Sequence, residues 1–161
     1  MAVEEIKTGP ATAELIAPCG INCRLCMAYA REKKACPGCR GDDRDKSKSC
    51  VVCRIKNCEK LVEGNFEYCF ECGDFPCARV AHLDKRYRTN YGTSAIGNLI
   101  LIQSGGIENF IEAEKIQWTC PGCGAMLCMH RPQCLVCGRL WNQSTKIKQG
   151  SKQAFAPGRT K

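Results

Sequence analysis

Between residues 78 and 118 apolar side chains recur at every third or fourth position, a helical period that the rest of the chain lacks. Pro76 stands where a first helical position tolerates proline, after Asp74 as a capping residue. A first helix is therefore predicted to run through Ala81, His82, Lys85 and Arg86. Thr93 and Ser94 are capping residues for a second helix, which carries Ile96, Leu99, Ile100 and Ile102 and stops at Gly105-Gly106. A third places Ile107, Phe110, Ile111 and Glu114 on one face and ends near Trp118. These three helices are expected to hold the only conventional hydrophobic core. The longest apolar run, Leu99-Ile100-Leu101-Ile102, is far short of the roughly 20 residues a membrane-spanning helix needs, so no membrane partner is expected.

Residues 1–17 have mixed polarity without a period and read as a leader or a short edge element. Residues 18–77 form a multi-cysteine region interspersed with Gly, Pro and charge; its stretch Gly41 to Ser49 has almost no apolar content and is expected to be a surface loop. The helical segment covers 78–118, a second cysteine cluster 119–140, and residues 141–161, rich in Gly, Ser, Gln and Lys without an acidic residue, are expected to be a flexible basic tail.

Cysteine changes this picture most. The chain has 16, and twelve of them arrive as pairs with two residues between: Cys23/Cys26, Cys36/Cys39, Cys50/Cys53, Cys69/Cys72, Cys120/Cys123 and Cys134/Cys137. A two-residue gap folds into a knuckle that aims both sulfurs at one point, which is half of a tetrahedral site. Six knuckles imply at least three metal centres. In a secreted chain this density would mean disulfides, but Met1 is followed by Glu4, Glu5 and Lys7 with no apolar export segment. A cytoplasmic protein with reduced thiols is expected, and three or four Zn2+ per chain. Each structural zinc is worth an apparent ~10 to 16 kcal/mol, enough to order a stretch with little core of its own.

The sharpest set is Cys120-Pro-Gly-Cys123-Gly with Cys134-Leu-Val-Cys137-Gly, where ten residues separate Cys123 from Cys134. Each knuckle ends in glycine, which lets backbone N–H groups approach the sulfurs, and two facing knuckles make a zinc ribbon. Cys128 and His130 lie between them, and His130 is expected to be a solvent-facing loop residue. In the front region Cys23/Cys26 pair in order with Cys36/Cys39, and Cys50/Cys53 with Cys69/Cys72; a crossed arrangement fits nearly as well. Cys19, Cys58 and Cys77 are then left over and, with His82, suffice for a further centre, although His82 reads first as a partly buried helix residue. The spacing C-x2-C-x4-C recurs as Cys50/Cys53/Cys58, Cys69/Cys72/Cys77 and Cys120/Cys123/Cys128, which suggests a repeated unit.

The predicted fold is thus a small metal-stabilised α+β or irregular one: zinc knuckles and short hairpins around a few helices, with a C-terminal zinc ribbon. The favoured function is a structural zinc module that works as an adaptor for a protein partner, because complete four-sulfur sites leave no position for a substrate water. Cysteine-only sites also suit iron, so an iron-sulfur or thiol-redox protein is the alternative, the latter resting on surplus thiols at Cys19, Cys58, Cys77 and Cys128. Cys19-x3-Cys23-x2-Cys26 resembles the cluster spacing of radical S-adenosylmethionine enzymes, but the chain is too short for their α/β barrel. A nucleic-acid reading is prompted by Lys33, Lys34, Arg40, Lys46, Lys48, Arg54, Lys56, Lys146, Lys148 and Lys152. The formal charge of +8 counts cysteine as neutral; three four-thiolate zinc centres, at about −2 each, lower it to about +2. Few aromatic residues are available for base stacking either, so nucleic acid is not favoured.

The ordered series Cys19-Gly20-x2-Cys23-x2-Cys26, Cys36-x-Gly38-Cys39, Cys50-x2-Cys53-x4-Cys58, Cys69-x2-Cys72 and Phe75-Pro76-Cys77 resembles the prokaryotic domain of unknown function 3795 (DUF3795). The resemblance continues through Tyr91-Gly92, Gly106-Ile107-Glu108 and Trp118 to Gly124, and so covers roughly 17 to 138. It implies a cysteine-rich, metal-binding protein and brings no activity, substrate or catalytic residue.

Overall fold

The computed structural model describes residues 11–141. Their regular structure is helical: α1 (Met27–Ala30), α2 (Lys48–Val51), α3 (Glu59–Glu63), α4 (Ala78–Tyr91), α5 (Ala95–Gly105) and α6 (Ile107–Gln117), with 3-10 turns at Ala13–Leu15, Cys23–Leu25 and Cys69–Glu71. Extended pairing among the described residues is confined to isolated antiparallel bridges, Ile16 with Asn22, Thr119 with Met126 and Gln133 with Leu140. The β part of the expected α+β fold therefore shrinks to these three bridges. Tight knuckles consume the chain in turns and leave no run long enough for a ladder.

Helix α5 starts where its cap predicts: the Ser94 hydroxyl accepts from the Gly97 N–H at 2.9 Å. Asp84 of α4 reinforces that start, accepting from the Ser94 hydroxyl at 2.6 Å and from the Ile96 N–H at 3.0 Å. Gly92 ends α4 in the left-handed conformation. The expected start of α4 is corrected by two residues. Cys77, extended at φ −80°, is the cap, while Pro76 follows Phe75 across a cis peptide bond and Asp74 pairs with Lys60.

Helix α5 is apolar on nearly every side, and burial follows, with Ala95, Gly97, Asn98, Leu99 and Ile102 all inside. It separates two clusters. Leu99 and Ile102 pack with Ile16, Ile55, Leu61, Tyr68, Val80 and Phe110; Ala95 packs with Ile21, Leu25, Trp118, Leu127 and Met129. The core is thus not confined to the three long helices, as the sequence suggested. Ile16, Ile21, Leu25, Ile55 and Leu61 from the front region are buried beside them.

Gly20, at φ +86°, lies tight against α5; a Cβ there would stand 2.8 Å from the Ala95 carbonyl oxygen and 2.9 Å from Leu99 Cγ. Of the segment read as a leader, Leu15, Ile16 and Ala17 are buried, and residues 1–10 lie outside the described residues. The predicted basic tail lies outside them too, apart from Trp141. Among the described residues no helix is long and apolar enough to cross a membrane.

Candidate metal centre

Residues 118–127 and 132–141 fold the same way, fourteen positions apart. In the first knuckle the Cys120 N–H donates to the Ala125 carbonyl, the Gly124 N–H to the Cys120 carbonyl and the Leu127 N–H to the Trp118 carbonyl. In the second, Cys134, Gly138 and Trp141 donate in turn to Arg139, Cys134 and Pro132. Gly124 and Gly138 take φ of +79° and +75°, a region that glycine enters without strain. Trp118 and Trp141 meet edge to face behind the knuckles, with ring centroids 5.6 Å apart.

Two such turns face each other with their sulfurs inward. Cys120 Sγ lies 3.7 Å from Cys137 Sγ, Cys123 Sγ lies 3.6 Å from Cys134 Sγ, and all four are within 4.8 Å of one another. A disulfide needs about 2.05 Å, so these are not cross-links. A tetrahedron with metal-sulfur bonds of about 2.3 Å has edges of about 3.8 Å. The spacing fits an ion of that size. The Cys123 and Gly122 N–H groups hold the Cys120 thiol down to about 6. At Cys123 the Ala125 N–H lowers the pKa, but desolvation and the sulfurs of Cys134, Cys137 and Cys120 push it up to about 11. Four thiolates this close repel one another, and a dication between them removes the repulsion.

This quartet alone, among the described residues, gathers three or more ligand atoms that tightly. The front cysteines are free thiols arranged in two looser neighbourhoods. In one, the Cys39 N–H donates to Cys23 Sγ at 3.4 Å. Burial pushes the Cys23 thiol up to about 12, with the charges of Cys39, Cys26 and Cys36 adding to it. Cys26 also faces Cys50, and Cys39 faces Cys53 and Cys50. In the other, burial raises Cys69 to about 12, aided by Cys77, Cys58, Cys72 and Cys53. Cys19, raised by burial, lies between the two, beside Cys39, Cys23 and Cys69.

His130 departs from its expected place in solvent. Its Nδ1 accepts from the Met27 N–H at 3.1 Å, and its ring meets Tyr91 edge to face. Burial lowers its pKa below the ordinary 6.5. His82 is exposed rather than partly buried, and Cys128, at 2 % exposure, sits beside Cys26 and outside the quartet. The third member of the C-x2-C-x4-C spacing is therefore not a ligand there.

Several cations from the basic list hold the chain instead of facing solvent. Lys46 Nζ, its side chain fully buried, donates to the carbonyls of Cys39 and Gly41 and to Asp43. Arg40 donates to the carbonyls of Ile16 and Glu67, both at 2.8 Å, and lies over the Tyr68 ring. Lys56 pairs with Asp43. No composition argument distinguishes these from surface charges, because each partner carbonyl is supplied by the fold.

No curated protein and no solved structure matches the chain. The family match stops short of the resemblance read through residue 138, and the sulfur quartet lies beyond it. Residues 15–82 match the family described as "Protein of unknown function (DUF3795)", the family that the front cysteine series resembles.

Proposed function

We propose that this is a non-enzymatic zinc protein, a cytoplasmic module whose metals are structural, whose C-terminal knuckles form a zinc ribbon, and whose task is to present a surface to a protein partner. The observation that carries the reading is the sulfur quartet at 120, 123, 134 and 137, with edges of 3.6 and 3.7 Å. Four thiolates complete a tetrahedron, so an ion held there keeps no exchangeable position for a substrate water. Such a site organises the chain and performs no hydrolysis. The engagement of Arg40, Lys46 and Lys56 within the chain supports this reading over nucleic-acid binding, since those cations are already committed to carbonyls and a carboxylate.

Sulfur-only sites also accept iron, and colour separates the two metals. Elemental analysis and a visible spectrum of the full chain, purified without oxygen, test the proposal. Colourless protein carrying three or four zinc per chain is the expected result. Brown protein containing iron and sulfide overturns it.

A further inference from the structure

We propose that Cys58, Cys69, Cys72 and Cys77 together bind one further metal ion, a ligand set that cuts across the in-order pairing of the front knuckles. These four cysteines line a single small cavity of about 30 Å³, whose other walls include Ile55, Leu61, Phe75 and Val80. That volume has room for an ion or a water and little more. Neither Cys50 nor Cys53, the partners that sequence order assigns to Cys69 and Cys72, lines it.

The backbone explains how ligands so far apart converge. Cys69 and Cys72 sit on one 3-10 turn, closed by the Cys72 N–H on the Cys69 carbonyl at 3.1 Å, and the Phe75 N–H closes the next turn on the Cys72 carbonyl. Cys58 and Cys77 are the residues immediately before α3 and α4, so each is anchored by the helix that follows. Cys69 is buried, whereas Cys58, Cys72 and Cys77 also line an open groove beside the cavity. Three of the four ligands thus face both spaces. Arg79 flanks both spaces and offsets part of the charge of about −2 that four thiolates leave on a dication, while Lys60, which also lines both, is paired with Asp74. The sulfurs surround the cavity without three of them lying within 4.8 Å of one another, so binding draws them inward to edges of about 3.8 Å. Thiolate ligands in an apolar pocket select a borderline or soft cation, zinc or iron(II), over magnesium or calcium.

The inference rests on the functional reading in that it assigns the ligands of one of the front zinc ions, and its test reads that site apart from the C-terminal quartet. The full chain is loaded with the NMR-active cadmium isotope, and cadmium-proton correlations identify which cysteine Hβ atoms couple to which ion. One cadmium coupled to Cys58, Cys69, Cys72 and Cys77 is expected, distinct from any ion coupled to the C-terminal quartet. A cadmium that couples to Cys69 and Cys72 together with Cys50 and Cys53, or no cadmium on Cys58 and Cys77, overturns the assignment. A missing ion on the C-terminal quartet instead defeats the functional reading alone. With Zn2+ as the probe, Cys58→Ser and Cys77→Ser should each lower bound metal by one equivalent per chain; an unchanged content contradicts the proposal. The cadmium experiment uses the unaltered chain and so decides the matter even where a substituted protein fails to fold.

Discussion

His130 binds a backbone amide 103 positions away in the chain, and only the neutral ring can do so, because Nδ1 must accept from Met27. Burial lowers its pKa, so the unfolded imidazole takes up a proton before the folded one does. The contribution of this contact is full above pH 6.5 and is lost as pH falls from there toward the lower folded value. An NMR titration of the His130 ring should show a midpoint below 6.5; a midpoint at or above it contradicts the assignment. Gly20 is a second residue whose identity the fold constrains. Gly20→Ala must combine a positive φ with a 2.8 Å approach to the Ala95 carbonyl, and should cost about 2 kcal/mol in denaturant unfolding. A change within experimental error would show that the approach to α5 is not tight. Residues differ in how far their roles can be read from sequence. The quartet was legible because each knuckle sets its two sulfurs locally and glycine at 124 and 138 marks the turn. The places of His130, Cys128 and Lys46 were not, since each depends on a group that only tertiary packing supplies.

At the level of elements, the helices were legible through their punctuation. Ser94 caps α5, Gly105-Gly106 separates it from α6, and Trp118 follows the end of α6. The start of α4 was misplaced because Asp74, a residue type suited to capping, is engaged by Lys60 instead. The joint between α4 and α5 has one dominant residue. Asp84 is buried, accepts from Ser94 and Ile96, and forms an ion pair with Arg88 at 2.8 Å. Asp84→Ala leaves those donors without their acceptor and should cost about 3 kcal/mol, whereas Ser94→Ala removes one cap and should cost about 1 kcal/mol. Equal losses in the two variants would place the strength of the joint in the cap alone.

Across the whole molecule, apolar burial around α5 is one source of order, and metal held by the cysteine clusters is the second that the proposed function calls for. Packing of the front region against α5 escaped the sequence reading, because Ile16, Ile21, Leu25, Ile55 and Leu61 are scattered among cysteines and charges without a period. Their meeting depends on long-range ties such as Asn22 to Glu114 and Asn98 to the Gly20 carbonyl. Removal of metal should therefore loosen the knuckles and leave α4 to α6 helical. On addition of a strong chelator we expect near-UV circular dichroism to fall while most of the helical far-UV signal persists; no change in either would deny the metal its structural role. The most direct test of the central claim, sulfur-only coordination in closed sites, is X-ray absorption at the zinc edge of the full chain purified without oxygen. The account predicts a first shell of four sulfurs at about 2.3 Å and no nitrogen or oxygen. A shell in which nitrogen or oxygen replaces a sulfur, and so marks an open or water-bound position, would contradict it.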